Sequence, residues 1–392
     1  MTLPFEQDKV NLFFDIDAGD AVAYYVNIHA KDKSNNGSKK KVYTSKKYPL
    51  ANGKNHYWIV MDYMFYNRTA KNVATSGKSL PNQIEFFFEL EVEISSNNQC
   101  SVEKEELNET LTLHFVRYIP KLLNILGFSN GEYLQRLWFT LGKNIDKKTV
   151  DPQLDAVEWD WAVSESSQVR GEYNDFLIET GTMLNNNIHL FGNNVRDSLK
   201  SEINKMINDG LVLLPTKNGP DQPFGVLDSQ IVTYKGQKMP KFEKYYFESK
   251  PFSGIFDLGV HYTFDGLDDF IAALANFNYH MLAIGMLKYN TNGWLTDTID
   301  INVKQLGVYI KDNFDFIDDD PNEDSQPLGY WKIINENEVE VERKISEKPK
   351  YFEVTNESYR DYRDDHNMGY NYHLYSTIEL KNVDYKVKLK DA

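Results

Sequence analysis

The stretch Ile84–Ile94 constrains this chain more than any other. Phe86, Phe88, Leu90, Val92 and Ile94 alternate there with Glu85, Phe87, Glu89, Glu91 and Glu93. A period of two sends successive side chains to opposite faces, so one face is apolar and the other acidic. A half-exposed strand in a sheet with one solvated face satisfies that pattern. Val10–Ile16, Ala21–Ile28 and Tyr57–Tyr66 are further β-rich runs, broken at Gly19-Asp20 and joined by segments rich in Lys, Asn, Gly and Ser. Residues 1–100 are therefore expected to form an antiparallel, β-sandwich-like domain, suited to docking or loading. The 25 Tyr and 23 Phe fit a strand-rich chain, because aromatic side chains suit a pleated, half-buried surface.

The period then changes. Tyr133, Leu134, Leu137, Trp138 and Leu141 share one helical face, and Gly142 supplies a stop. Pro120 starts or kinks the helix before it. Residues 101–175 are expected to be a helical connector, polar over 143–175 and carrying Trp159-Asp160-Trp161. Asn194–Asn208 is the clearest helix: Val195, Leu199, Ile203, Met206 and Ile207 form one stripe, and Gly210 is placed as the C-terminal cap. Leu211–Pro215, residues 252–264 and 279–289, Val303–Ile310, Tyr330–Ile334, Glu338–Glu342 and Tyr372–Leu380 read as strands, with a short helix over Leu267–Ala275. Residues 176–392 are expected to form an α+β domain with a mostly antiparallel sheet, and the whole chain to be α+β.

Charge excludes some partners. The 43 Lys and Arg against 58 Asp and Glu give a formal charge of −15. Such a surface repels phosphate backbones and anionic lipid, so no nucleic-acid partner is expected. Lys39-Lys40-Lys41 follows Ser34-Asn35-Asn36-Gly37-Ser38 and reads as a solvated hairpin tip. The single cysteine, Cys100, rules out a disulfide framework and a cysteine-rich zinc site. Met1–Asp8 has neither a basic start nor an apolar run, and no stretch of 18 apolar residues exists. The expectation is a chain made in the cytoplasm without a general signal peptide and without stable membrane insertion.

Four stretches carry chemistry. Phe13-Phe14-Asp15-Ile16-Asp17 has the look of the Asp-x-Asp phosphatase motif, or else is a turn between strands. Asp257, His261 and His280 form a conceivable His–His–carboxylate metal set, or else are packed within strands. Asp312-Asn313-Phe314-Asp315-Phe316 is the sharpest feature. Two carboxylates three apart at a strand's exit converge on one cation if the chain turns there. Asp318, Asp319, Asp320, Glu323 and Asp324 follow, without the glycine and spacing of a calcium loop. Arg360-Asp361-Tyr362-Arg363-Asp364-Asp365-His366 brings guanidiniums, carboxylates and an imidazole together ahead of His373. It is either a phosphate-binding, acid–base set or a charged helix with internal ion pairs.

Val308–Phe316, Leu328-Gly329-Tyr330-Trp331 and Asn356–Ser376 resemble an uncharacterised bacterial domain family. That family occurs in cargo and polymorphic toxins of type VI and related contractile injection systems. The likeness covers roughly residues 180–380. A more distant likeness is to the colicin M family of bacteriocins, which cleave the lipid-linked peptidoglycan precursor. It rests on Lys200–Leu214 and on Asp312–Phe316. The resemblance implies that Asp312, Phe314 and Asp315 belong to an active site in which Asp312 and Asp315 hold a divalent cation, Mg²⁺. That family also places His-Arg shortly after its second aspartate. Residues 316–330 here contain neither residue, so His366 and Arg363 are the candidates for those roles. The resemblance further implies an effector exported by a dedicated secretion system, with a component or adaptor of that apparatus and an immunity protein as partners. The other readings are a non-catalytic structural, adaptor or binding component of the same machinery, and an immunity or chaperone protein for a basic toxin.

Overall fold

A computed structural model describes residues 9–17, 21–50, 54–96, 99–141, 150–180, 192–252, 268–274, 276–292, 296–317, 325–342 and 348–392. The chain is α+β, and its sheets are mostly antiparallel. It divides into two compact units, each drawn from three stretches. The first takes residues 1–144, 260–273 and 316–370, and the second 145–259, 274–315 and 371–392. The expectation of three consecutive blocks thus meets two interleaved units. Among the described residues, no helix is long and apolar enough to cross a membrane.

In the first unit the alternating stretch forms the strand Gln83–Ser96. It pairs antiparallel with Ala21–Asp32 on one side and Gln99–His114 on the other. Ile84, Phe86 and Phe88 are buried, while Glu89 and Glu91 on the other face accept the Asn27 amide. A two-stranded ribbon, Lys9–Asp17 with Lys54–Asp62, packs Phe14 against Phe88 at 5.2 Å between ring centroids. Phe13-Phe14-Asp15-Ile16-Asp17 therefore lies within an antiparallel ribbon, not in the strand-to-helix setting that the phosphatase motif requires.

Two expectations change here. The run Tyr57–Tyr66 is strand only to Asp62. There the Asp62 side chain accepts the Phe65 amide and starts the helix Tyr63–Val73, which buries Tyr66, Ala70 and Val73 at helical spacing. Residues 101–114 are strand rather than connector, because Leu111 and Leu113 alternate inward against Thr110 and Thr112. Helices follow as expected. Pro120 sits in the first turn of Ile119–Leu126, where its missing amide costs no bond. Ser129–Thr140 buries Leu134 and Trp138 but leaves Tyr133 half exposed. The short helix Asp269–Ala273 lies so close that a Cβ on Gly131 would come within 2.7 Å of the Ala272 Cβ. A three-stranded sheet (Glu338–Glu342, Pro327–Asn335 and Phe352–Thr355) leads into the helix Asn356–His366, opened by a Thr355/Ser358 capping box.

The second unit is built on one sheet. Its order is Glu248–Phe252, Phe277–Asn290, Thr298–Phe314, Tyr372–Ser376 and Gln153–Val157. Gln222–Phe224 pairs with Phe277–Asn290, and Glu379–Asp391 pairs along Thr298–Phe314. The pairing of Tyr372–Ser376 with Gln153–Val157 is parallel and the others are antiparallel. Residues 143–175, expected as a polar connector, supply that edge strand and the helices Trp159–Glu165 and Ser167–Glu179. Tyr279 ties one sheet face to the second of these helices by donating to the Val169 carbonyl at 2.8 Å. Asn193–Asn208 is helical with Val195, Leu199, Ile203 and Met206 buried, and Gly210 follows at φ +72°. Leu211–Pro215 is not a strand: Val212 is buried but Leu213 is 69 % exposed, and no described strand pairs with it.

Candidate active site

Antiparallel register decides which side chains meet on the second unit's sheet. His280 stands opposite Tyr309, Lys311 opposite Tyr375, and Asn313 opposite His373. Paired residues share a face, and alternate residues along a strand share it too. One face therefore carries His280, Tyr309, Lys311, Asn313, His373 and Tyr375, and the other carries Asp312 and Phe314.

The polar face is covered by the 3₁₀ turn Lys241–Tyr245. The hairpin Ile231–Tyr234/Gln237–Pro240 delivers that turn, and the Lys241 and Phe242 amides donate to the Gln230 and Asp228 carbonyls. Phe242 packs edge-on against Tyr309 and Tyr375. The next residue, Glu243, points inward and is 3 % exposed. Its carboxylate takes three donors. His280 Nδ1 lies 3.1 Å from Oε2, Lys311 Nζ lies 2.6 Å from Oε1, and the Tyr309 hydroxyl donates to Oε2. Burial opposes the charge on Glu243, yet His280 and Lys311 outweigh it and hold the carboxyl below its ordinary value. Burial and then the Glu243 charge push the Tyr309 and Tyr375 phenols up.

Two polar atoms in this cluster remain unspent among the described residues. With its Nδ1–H given to Glu243, His280 has no partner at Nε2, which is then the basic nitrogen. The Tyr375 hydroxyl is buried with no hydrogen-bond partner. The ring of Tyr246, partly exposed, lies 4.2 Å from that of His280. On the same face His373 is bound at Nδ1 to Asn313, at 2.5 Å, and at Nε2 to the Gln237 amide. The set combines an oriented imidazole, a cation and a spare hydroxyl, which are the parts of an acid–base site acting on an anionic group.

The residues expected from sequence fall elsewhere. Asp312 lies inside the strand Thr298–Phe314, opposite Leu374, rather than at its exit. Its carboxyl is 7 % exposed. Burial pushes it well above the carboxylate range, the Asn313 amide opposes that, and the charge of Asp315 adds to it. Phe314 stacks on Tyr372 at 5.2 Å. These three residues belong to the second unit; Arg363 and His366 belong to the first. Arg363 is partly buried, with Nε 3.5 Å from Asp364. His366 is buried, with its ring 5.1 Å from His114 and 4.6 Å from Tyr362. Burial first, then His114 and Arg117, lower its pKa to about 4. His114 in turn gives Nε2 to Asp365 at 3.0 Å, which Lys33 also approaches at 3.0 Å. Asp257, His261 and the acidic residues from Asp318 to Asp324 lie outside the described residues. Among the described residues, no group of three or more His, Cys, Asp or Glu converges as a metal site. Asp312 and Asp315 supply two carboxylates of the hard-oxygen type that Mg²⁺ takes.

Glu243, Tyr309, Lys311 and Tyr375 were missed from sequence. Glu243 sits in Lys241-Phe242-Glu243-Lys244, where nothing marks one acid as buried. The i, i+2 spacing of Tyr309 and Lys311 in a legible strand was the one available signal.

Residues 115–390 match the profile of DUF6402, described as a family of unknown function. The chain belongs to that family. The match takes in every residue of the Glu243 cluster and leaves the strands up to Gln99–His114 outside it. No curated protein matches the chain, and no solved structure does.

Proposed function

We propose that this DUF6402 protein is an effector carried by a bacterial secretion or contractile injection system, and that its second unit hydrolyses a phosphodiester. The observation that carries the catalytic part is the buried Glu243 carboxylate gathering His280, Tyr309 and Lys311. Glu243 fixes the imidazole through Nδ1 and leaves His280 Nε2 to act as the base. A water gives its proton to Nε2, its oxygen bonds to phosphorus, and the phosphorus–oxygen bond to the leaving group breaks. The leaving oxygen then takes the proton back from Nε2. Lys311 and the Tyr375 hydroxyl stabilise the phosphoryl oxygens. The effector part, with a lipid-linked cell-wall precursor as substrate and an immunity protein as partner, is supported by the resemblance over residues 180–380. The test is growth of a bacterium that makes the protein in its cytosol or, with an added signal, in its periplasm. Lysis on periplasmic targeting, abolished by His280→Asn with the fold kept, supports the reading. Equal growth in all cases moves the function to a non-catalytic component of the same machinery.

A second reading rests on Asp312. A buried carboxyl raised in part by Asp315 is relieved by a proton or by a cation. In that reading Asp312 and Asp315 hold Mg²⁺ on the opposite face from His280. Calorimetric titration with Mg²⁺ that binds wild type but not Asp312→Asn supports it; silence in both removes it.

A further inference from the structure

The ribbon Lys9–Asp17/Lys54–Asp62 in the first unit has two unlike faces. Alternation turns Leu12, Ile16, Tyr57, Ile59 and Met61 inward, where they are buried. On the outer face Phe13 stands directly opposite Trp58, and the next pair along that face is Asp15 opposite His56. Phe13 is 74 % and Trp58 60 % exposed. Cross-strand aromatic pairs ordinarily cover each other, but among the described residues neither of these rings meets another ring. His56 Nδ1 lies 2.6 Å from Asp15 Oδ1, with both side chains open to solvent. Asp15 Oδ2 and His56 Nε2 have no partner among the described residues. A cleft of about 190 Å³ opens beside the same face, lined in part by Phe13 and Asp15 with Val26, Glu89, Leu90 and Leu107.

Size and chemistry say what such a face takes. Two paired strands of this length present roughly 30 Å by 10 Å, about 300 Å², against about 800 Å² per partner in a standard protein interface. A formal charge of −15, with Asp15 in the patch itself, disfavours an anion. The ring faces carry negative charge density, and the Asp15–His56 pair beside them offers a carboxylate oxygen and an imidazole nitrogen. A sugar ring matches both, with polarised C–H groups on its flat face and hydroxyls at its rim. An all-equatorial, β-linked chain keeps those faces flat. The cleft adds a preference. Val26, Leu90 and Leu107 suit a methyl group, and Asp15 and Glu89 suit an amide N–H, which together describe an acetamido substituent. We propose that the outer face of this ribbon binds a neutral glycan of β-1,4-linked N-acetylglucosamine, stacked on Phe13 and Trp58 with an acetamido group in the cleft. The ribbon precedes the family match over residues 115–390, and the site is independent of any chemistry at Glu243.

Calorimetric titration of the full chain with β-1,4-linked hexamers of N-acetylglucosamine and of glucose tests it, across about 10 μM to 2 mM to bracket a micromolar dissociation constant. The expected result is saturable binding of the N-acetylglucosamine hexamer by wild type and by His280→Asn alike, and weaker binding of the glucose hexamer. Trp58→Ala and Phe13→Ala should each bind roughly tenfold more weakly, the effect of losing about 60 Å² of apolar contact. Circular dichroism should be unchanged in both variants, because both side chains are exposed. No binding of either hexamer overturns the proposal. So does binding that Trp58→Ala and Phe13→Ala leave intact. A glucose hexamer bound as tightly as the other overturns the placing of the acetamido group. A mass that rises with concentration in wild type but not in Trp58→Ala gives the face to a second copy of the chain and overturns the glycan site.

Discussion

Each unit buries a histidine cluster, and the two are built oppositely. In the second unit the carboxylate is inside: Glu243 is 3 % exposed and His280, Tyr309 and Lys311 converge on it. In the first unit the imidazoles are inside. His114 and His366 lie together beside Arg117, and their carboxylate, Asp365, stands at the rim with Lys33. A buried anion ringed by donors keeps its charge and holds its neighbours in fixed orientation. A buried imidazole beside another imidazole and a guanidinium gives up its charge and packs. The lesson is that His366, which the sequence marks as an acid–base candidate, is a neutral core group. His280, which the sequence marks only as one of a doubtful metal set, has the surroundings of a base.

Removing each cluster's carboxylate should break the comparison most sharply. Glu243→Leu strands Lys311 and costs about 3–5 kcal/mol, the usual result of breaking a buried charge pair. Asp365→Asn, at a side chain 37 % exposed, costs under about 1 kcal/mol after screening by solvent. Urea unfolding of the two variants measures the difference, and similar losses would erase the distinction.

Acid should act on the units in opposite directions. His366 titrates near 4 in the folded unit and near 6.5 unfolded, so below 6.5 the unfolded chain binds the extra proton. Stability of the first unit is therefore lost as pH falls from about 6.5 to 4, by at most roughly 3 kcal/mol. Asp312 has the reverse sign. Its folded pKa is raised, so its protonated form favours folding in acid, and that contribution is lost as pH rises above the ordinary aspartate range. Hydrogen exchange at pH 7 and pH 4.5 should show protection falling along Asn356–His366 and rising along Thr298–Phe314. His366→Gln should flatten the first change. A smaller effect follows from the same argument: Asp312→Asn should raise the melting temperature at pH 7, and the gain should shrink at pH 4.

What could be read from sequence was what periodicity encodes. The strand Gln83–Ser96, the helix Asn193–Asn208 and the α+β class are legible because their apolar spacing has one solution. The helix Tyr63–Val73 was hidden because its start depends on one capping contact, Asp62 to the Phe65 amide, inside an aromatic run that suits a strand equally well. The interleaved units were hidden because the chain passes between them five times, and neither Asp315–Phe316 nor Tyr370–Asn371, two of those points, has a linker-like composition. Of the site, Lys311 and Tyr309 were within reach of the strand's alternation. Glu243 was not, since its burial comes from a turn laid across residues 37 and 66 positions further along the chain.

The most direct test of the account is the hydrolysis of a chromogenic phosphodiester, and of a lipid-linked cell-wall precursor, by purified wild type and His280→Asn. Loss of a general base costs about 10²–10⁴ in rate. The account predicts measurable turnover by wild type and a fall of that size in His280→Asn, with the fold kept by circular dichroism. Turnover that is equal in the two proteins, or absent from wild type on both substrates, would contradict it.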